Sequence, residues 1–234
     1  DTSNLSQGYV MCRYTGSASK VAVQVERIGS GKKYTYFISR GGEYASIPLT
    51  EGNGRYTITV WEHLAGKRYS LAEQLTVDVS LEDDLLPFLY ASHIIRFREG
   101  SLAVEKAREL AKKAGGEPET IAAVYDYIVK SIRYDNEKAI SVGAGYISEP
   151  DTVMKTGKGI CIDYTALMAA MLRSLGIPVK MIYGREPDGA HHSWLMVYSS
   201  EVGSAGDQVL SAGEWTFFVP TFAANIGCES RVPD

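Results

Sequence analysis

The sequence predicts an α+β protein in which an all-β domain precedes a domain of helices and antiparallel strands. Apolar–polar alternation dominates the chain up to about residue 82, a helical period of apolar residues follows, and three more strand-like segments come after the helices. We therefore predict domains at residues 1–82 and 83–234, with 83–100 as a linker or docking segment.

Six segments of the first domain alternate with a period of two and are rich in Tyr, Val and Thr, which favour strands. They are Tyr9–Tyr14, Val21–Val25, Tyr34–Ile38, Tyr44–Leu49, Tyr56–Trp61 and Leu75–Leu81. Strands at such close spacing, separated by glycine-rich turns, predict a small β-sandwich of the immunoglobulin-like (Ig-like) kind. Its aromatic residues either form a binding surface or pack the domain's own core, and packing is the commoner role.

Helical periodicity begins after the linker. Ser101–Ala114 carries apolar residues on one side and charged residues on the other, and in Pro118–Ile132 the apolar residues recur at helical spacing. The long connection Asp135–Thr156 follows, with a short helix predicted at Asp151–Lys155. Connections of this length are often functional, so we expect this one to form a wall or lid of a substrate cleft.

The last helix and strands follow in turn. Ile162–Leu175 is apolar nearly all round, which predicts a buried helix, and a glycine and a proline mark its end. Three strands are predicted after it, at Val179–Tyr183, Ser193–Tyr198 and Trp215–Val219. Because turn-like stretches connect them, we expect antiparallel neighbours.

Cys161 is the most informative residue of this region. It follows the run Gly157-Lys158-Gly159-Ile160 and directly precedes the buried helix. The N–H groups and dipole of a helix N-terminus favour a thiolate, and the N–H of Cys161 itself is an obvious donor to a reaction oxyanion. Downstream, His192 stands in His191-His192-Ser193-Trp194 and offers a base. A thiol and an imidazole are the minimum for cysteine nucleophilic catalysis, although a buried structural cysteine fits the same spacing.

These motifs, with Leu172-Arg173, Gly176-Ile177-Pro178 and Tyr183-Gly184, resemble the bacterial transglutaminase-like family, roughly from residue 121 to 222. The resemblance implies a papain-like fold with a Cys, His, Asp triad, in which Cys161 is the nucleophile and His192 the general base. Members act on protein or peptide amides as crosslinking acyltransferases, proteases or amidases. Similar chains with an N-terminal sandwich are exported by Gram-positive bacteria, which implies an extracellular or cell-surface location.

The third triad position departs from the family pattern. The sequence reads Val219-Pro220-Thr221-Phe222 where the family usually has Asp-Pro-Thr-Phe, and a valine cannot accept the imidazole N–H. Another acceptor could orient His192, with Asp207, Glu214 or Asn225 as candidates nearby in sequence. A backbone carbonyl or water could also do so, or the site is weakened. The alternative function is therefore a catalytically impaired pseudoenzyme that acts as a cell-surface binding module.

Composition and motifs argue against other classes of protein. A net charge of −4 gives no basis for nucleic-acid binding, and no apolar run is long enough to span a membrane. Residues 1–8 show no signal-peptide pattern. We expect no cofactor and no metal, because nucleotide-binding and zinc-site spacings are missing from the sequence. With three cysteines a disulfide-built fold is excluded, although Cys12 and Cys228 could pair.

Overall fold

The computed structural model describes residues 1–39, 41–143, 145–186 and 189–225 of the chain, without the side chains of Ser39, Phe222 and Asn225. The chain forms two compact units, Asp1–His93 and Ile94–Asp234. The division falls inside the segment 83–100 that the sequence assigns as a linker. None of the helices among the described residues combines the length and apolarity needed to cross a membrane.

The first unit is all-β, as predicted. Its strands are β1 (Tyr9–Cys12), β2 (Lys20–Arg27), β3 (Lys33–Ser39), β4 (Ala45–Pro48), β5 (Gly54–Ala65) and β6 (Arg68–Val79). Strands β3-β2-β5-β6 form a four-stranded antiparallel sheet, and β1-β4 form a two-stranded one. Both sheets contribute buried side chains, such as Ile47 from the small sheet and Val23 from the large one, as the layers of a β-sandwich do. The Ig-like topology stays a prediction.

The second unit contains the helices. They are α1 (Leu102–Ala111), α2 (Glu117–Ser131), α3 (Asn136–Ser141), α4 (Pro150–Thr156), α5 (Cys161–Ser174) and α6 (Pro220–Asn225). Helix α5 is buried along nearly its whole length, because its sequence is apolar on every side. It packs against α1, α2, α4 and the sheet, and its core residues form one cluster with theirs.

The strands of the second unit are β7 (Arg133–Tyr134), β8 (Lys158–Gly159), β9 (Val179–Arg185), β10 (His191–Ser199), β11 (Gly203–Ala205), β12 (Gln208–Leu210) and β13 (Glu214–Phe218). The three strands predicted after α5 form an antiparallel sheet of order β13-β10-β9. The hairpin β11-β12 lies between β10 and β13 in sequence, and β7 pairs with β8 in parallel.

The central strand β10 has two different faces. Ser193, Leu195 and Val197 are buried, and the hydroxyl of Ser193 lies 2.8 Å from that of Thr165 on α5. Because side chains alternate along a strand, His192 and Trp194 point to the opposite face. Strand β13 pairs with β10 from Leu195 to Ser199, whereas β9 pairs as far as His191, so the start of β10 is paired with β9 but not with β13.

Candidate active site

The turn before α5 explains the glycines around the cysteine. Gly157 ends α4 with a positive φ of 62°. A Cβ placed on Gly159 would lie 2.6 Å from the Cβ of Asp163, so only glycine fits there. The Asp163 carboxylate accepts a hydrogen bond from the N–H of Ile160 at 2.9 Å and so caps the helix. These contacts place Cys161 at the first position of α5.

Asp163 also anchors the long connection that precedes the cysteine. Its side chain is fully buried, and it accepts from the Lys138 amine at 2.6 Å and from the Tyr146 hydroxyl at 2.8 Å. Burial lowers the pKa of Lys138, but the hydrogen bonds to Asp163 and Tyr146 raise it by more, so the amine stays charged. A buried carboxylate needs such partners, and here they tie α3 and the following loop to the start of α5.

The Cys161 thiol is free and half-buried. Burial raises its pKa, and the negative charge of Asp163 adds to this, whereas the N–H groups of Ile162, Ser193 and Cys161 itself lower it; the net shift is upward. The N–H of Ser193 is therefore close enough to act on the sulfur, so the thiol lies near the peptide that joins His192 to Ser193. The helix N-terminus favours the thiolate, but burial outweighs it.

His192 lies between a carboxylate and an indole ring. Its side chain is 9% exposed, and its Nδ1 lies 3.4 Å from Oε1 of Glu186, which follows the last residue of β9. The Trp194 ring packs edge-on against the imidazole, with centroids 5.0 Å apart. Burial lowers the pKa of His192 and Glu186 raises it, with a net downward shift, so the imidazole is neutral at pH 7.

Gly184 makes room for this arrangement. It pairs directly with His192 across the β9-β10 ladder. A Cβ at this position would lie 2.7 Å from the Trp194 ring. The Tyr183-Gly184 motif therefore reflects the close approach of an indole to the β9 backbone, and that indole is the one that packs on the histidine.

Tyr134 joins the same group of side chains. Burial raises the pKa of its phenol, and the negative charges of Cys161 and Glu186 raise it further. The phenol is thus within electrostatic reach of both the thiol and the carboxylate. Its position follows from the pairing of β7 with β8, which sets Tyr134 opposite Gly159, two residues before the cysteine.

The two acids that the sequence offered for the third position, Asp207 and Glu214, lie elsewhere. Val219 is half-buried after the end of β13 and offers no acceptor in its side chain. Glu214 pairs with Ser199, at the far end of β10 from His192. Asp207 lies between β11 and β12, where its charge acts on Tyr125. The side chain of Asn225 is outside the described residues, as is Cys228, the partner predicted for Cys12.

Glu186 was missed by the sequence analysis, although a signal for it exists. Glu186-Pro187-Asp188-Gly189 reads as a turn between two predicted strands. Extending both strands to that turn makes a hairpin in which Glu186 lies diagonal to His192. Over the described part of the chain, no group of three or more His, Cys, Asp and Glu side chains could hold a metal ion.

Comparison with known proteins found one curated relative that matches part of the chain. A segment of the chain is 32% identical over 76 residues to the UPF0252 protein MJ1282 of Methanocaldococcus jannaschii, covering 30% of this chain and 22% of that protein. This chain therefore spans only about a fifth of the length of that curated relative.

Two solved bacterial structures are similar to most of the chain at low identity. A candidate cysteine protease from Cytophaga hutchinsonii is 14% identical, with 91% of this chain and 71% of that chain covered and a TM-score of 0.47. The periplasmic domain of TgpA from Pseudomonas aeruginosa is 15% identical, with 93% and 88% covered and a TM-score of 0.41.

The family match comes from the sequence itself. Residues 104–218 match the family model described as the transglutaminase-like superfamily. The matched region runs from α1 to the last residue of β13 and contains Cys161, Glu186 and His192. Residues 104–218 therefore form a domain of the transglutaminase-like superfamily.

Proposed function

We propose that this protein transfers acyl groups from protein or peptide amides through a thioester on Cys161, with His192 as general base. The observation that carries the proposal is the position of the thiol. The N–H of Ser193, the residue directly after His192, lies close enough to the sulfur to lower its pKa, and the thiol stands at the N-terminus of a buried helix. A nucleophile and a base in this relation are the starting point of cysteine acyl transfer.

The neutral forms of both groups define the first step. As the sulfur attacks the substrate carbonyl carbon, the C–S bond forms and the thiol proton moves to the imidazole. The oxygen of the tetrahedral intermediate becomes negative, and we expect the N–H of Cys161 to donate to it. The imidazolium then gives its proton to the amide nitrogen, the C–N bond breaks, and the amine leaves a thioester on Cys161.

The second substrate decides the product. An amine that attacks the thioester forms a new amide and crosslinks two molecules, whereas water releases an acid and makes the protein a protease or amidase. In both cases His192 takes a proton from the attacking group and returns it to the sulfur. We place the activity outside the cytoplasm, in keeping with the exported relatives implied by the sequence and with the periplasmic domain of TgpA to which the chain is similar.

The test uses a peptide that carries a glutamine carboxamide as donor and hydroxylamine as acceptor. We expect the wild-type protein to form the peptide hydroxamate, or the free acid when hydroxylamine is left out, and we expect a Cys161-linked acyl adduct by peptide mass spectrometry. Cys161→Ala and His192→Ala should abolish turnover. Cys12→Ala is the matched control, since that thiol lies in the first unit, and it should retain full rate.

A second function is favoured by one observation, the valine at position 219. A protein that lost its triad acid and has no replacement would serve as a binding module at the cell surface. In that case wild-type protein gives neither hydroxamate nor acyl adduct with any donor, and Cys161→Ala leaves ligand affinity unchanged.

A further inference from the structure

We infer that Glu186 is the positioning carboxylate of this site, and that it reaches His192 from β9 instead of from β13, where the family pattern puts the acid. The inference rests on the proposed Cys161–His192 chemistry. It concerns the residue that orients the base.

The sheet order makes such an exchange possible. Strand β10 lies between β13 and β9, so a residue at the end of either neighbour lies beside the start of β10. Val219 follows β13 and Glu186 follows β9. Gly184 is the direct partner of His192, and Glu186 lies two residues further, so strand alternation puts its side chain on the face that carries the imidazole.

The backbone of the hairpin holds the carboxylate in place. The N–H of Glu186 donates to the carbonyl of Ala190 at 2.8 Å, and the carbonyl of Glu186 accepts from the N–H of Gly189 at 2.8 Å. The turn is therefore closed on both sides of Glu186.

The contact differs from an ordinary surface ion pair. The imidazole is 9% exposed and the Glu186 side chain 24% exposed. Solvent screens such a pair far less than one between fully exposed groups, which contributes little. The distance of 3.4 Å exceeds that of a normal hydrogen bond, but contacts of catalytic side chains commonly shorten when substrate binds.

The nitrogen that Glu186 contacts gives the contact a chemical role. A carboxylate at Nδ1 favours the tautomer with hydrogen on Nδ1, and this leaves the lone pair on Nε2 to take the thiol proton. The carboxylate then stabilises the imidazolium that forms. The other titratable groups near this pair are the Tyr134 phenol, on which both Glu186 and Cys161 act, and the Cys161 thiol, on which the N–H of Ser193 acts.

The test compares Glu186→Gln with Glu214→Gln. Both replace a glutamate by its isosteric amide, but Glu214 pairs with the far end of β10. The first measurement is an NMR titration of the His192 ring, whose nitrogen shifts report both tautomer and pKa without any substrate. In Glu186→Gln we expect the His192 pKa to fall and the fraction of Nδ1–H tautomer to drop, with no change in Glu214→Gln.

The second measurement is turnover of the glutamine peptide. We expect kcat to fall about 100-fold in Glu186→Gln with KM nearly unchanged, at the lower end of what general acid–base catalysis contributes, because the amide stabilises the imidazolium less than the carboxylate does. Glu186→Asp keeps the charge and should restore part of kcat. Thermal unfolding of each variant shows whether it is folded.

The outcomes separate the two proposals. If His192 titrates identically in wild type and in folded Glu186→Gln, the role of Glu186 is overturned even where Cys161 turns over the peptide. If the His192 pKa and tautomer shift as expected but wild-type protein shows no turnover, the proposed function fails while the Glu186–His192 contact stands.

Discussion

The titratable groups of the site are both held in their neutral forms. Burial raises the pKa of Cys161 and lowers that of His192. A preformed thiolate–imidazolium pair requires the opposite shifts. In the proposed mechanism the thiolate is therefore generated together with bond formation, so we expect the rate to depend on the basicity of His192 and on its support by Glu186.

This predicts the pH dependence of the site. The imidazole must be unprotonated to act as a base, so kcat/KM should rise with pH through a His192 pKa below 6.5 and be fully developed at neutral pH. Iodoacetamide labelling of Cys161 should be slow at neutral pH and should keep rising with pH past the ordinary thiol pKa of about 8.5, because the thiol pKa is raised. Peptide mass spectrometry after labelling at each pH measures this. Fast labelling of Cys161 below pH 7 would show a preformed ion pair instead.

Gly184 gives a second prediction for single residues. Gly184→Ala puts a Cβ 2.7 Å from the Trp194 ring and must displace it. We expect a loss of about 1–3 kcal/mol in the free energy of unfolding, as for other overpacked sites, together with lower turnover. Denaturant unfolding measures the first quantity. Gly115→Ala is the control, because nothing lies within 4 Å of a Cβ there, and it should leave stability and turnover unchanged.

Single residues were predictable from sequence where a local motif carries them. Cys161 and His192 each stand in such a motif, and their roles remain predictions that the geometry supports. Glu186 was not selected, because its contact with His192 crosses a turn and depends on strand register. The sequence suggested acids close to Val219 along the chain. The carboxylate that lies next to His192 is instead at the end of β9, on the other side of β10.

At the scale of elements, α5 depends on contacts beyond its own sequence. Its first turn is capped by Asp163, and Asp163 is held by Lys138 from α3 and by Tyr146. Helix α3 has no buried residue of its own. The ion pair with Asp163 is thus a main link between α3 and the rest of the unit.

Lys138→Met tests this link. It leaves the fully buried Asp163 without its cation, and removing one partner of a buried pair costs about 3 kcal/mol or more. We expect a matching loss in the free energy of unfolding and faster hydrogen exchange in α3. Lys130→Met is the control, because Lys130 pairs with Asp126 on the exposed face of α2, where such pairs contribute little. Equal effects of the two changes would contradict a special role for the Lys138–Asp163 pair.

Local periodicity explains which elements were predictable. Helices α1, α2, α4 and α5 lie within a few residues of their predicted bounds, because their apolar spacing or flanking signals are local. Helix α3 and the hairpin β11-β12 were not predicted, and neither was the pairing of β7 with β8. These elements are short, and their positions are set by contacts with distant parts of the chain.

At the scale of the whole molecule, the candidate site lies within one of the two units. Cys161, His192, Glu186 and Tyr134 all belong to Ile94–Asp234, and the large core cluster around α5 also lies there. The sequence predicted two domains from the change of period, and the unit boundary at His93 and Ile94 lies eleven residues beyond the predicted end at residue 82. The segment between these two positions shows no strong periodicity of apolar residues, so the sequence does not indicate which unit it belongs to.

We therefore predict that residues 94–234 fold on their own. The core residues of this unit come from its own helices and strands. After removal of residues 1–93 we therefore expect the fragment to unfold cooperatively. Its turnover of the glutamine peptide should stay within about threefold of that of the full chain, a small change compared with the loss of a catalytic residue. Calorimetry and the hydroxamate assay measure both. An aggregated or inactive fragment would show that the first unit is required for the fold or for the site.

The burial of Cys161 also affects the reactivity of its thiol toward oxidants. Peroxide attacks the thiolate, and susceptibility to sulfenic acid formation follows thiolate character and exposure. A half-buried sulfur with a raised pKa presents little thiolate at neutral pH. For the proposed nucleophile we therefore expect slow oxidation by peroxide, because burial lowers both its exposure and its thiolate fraction.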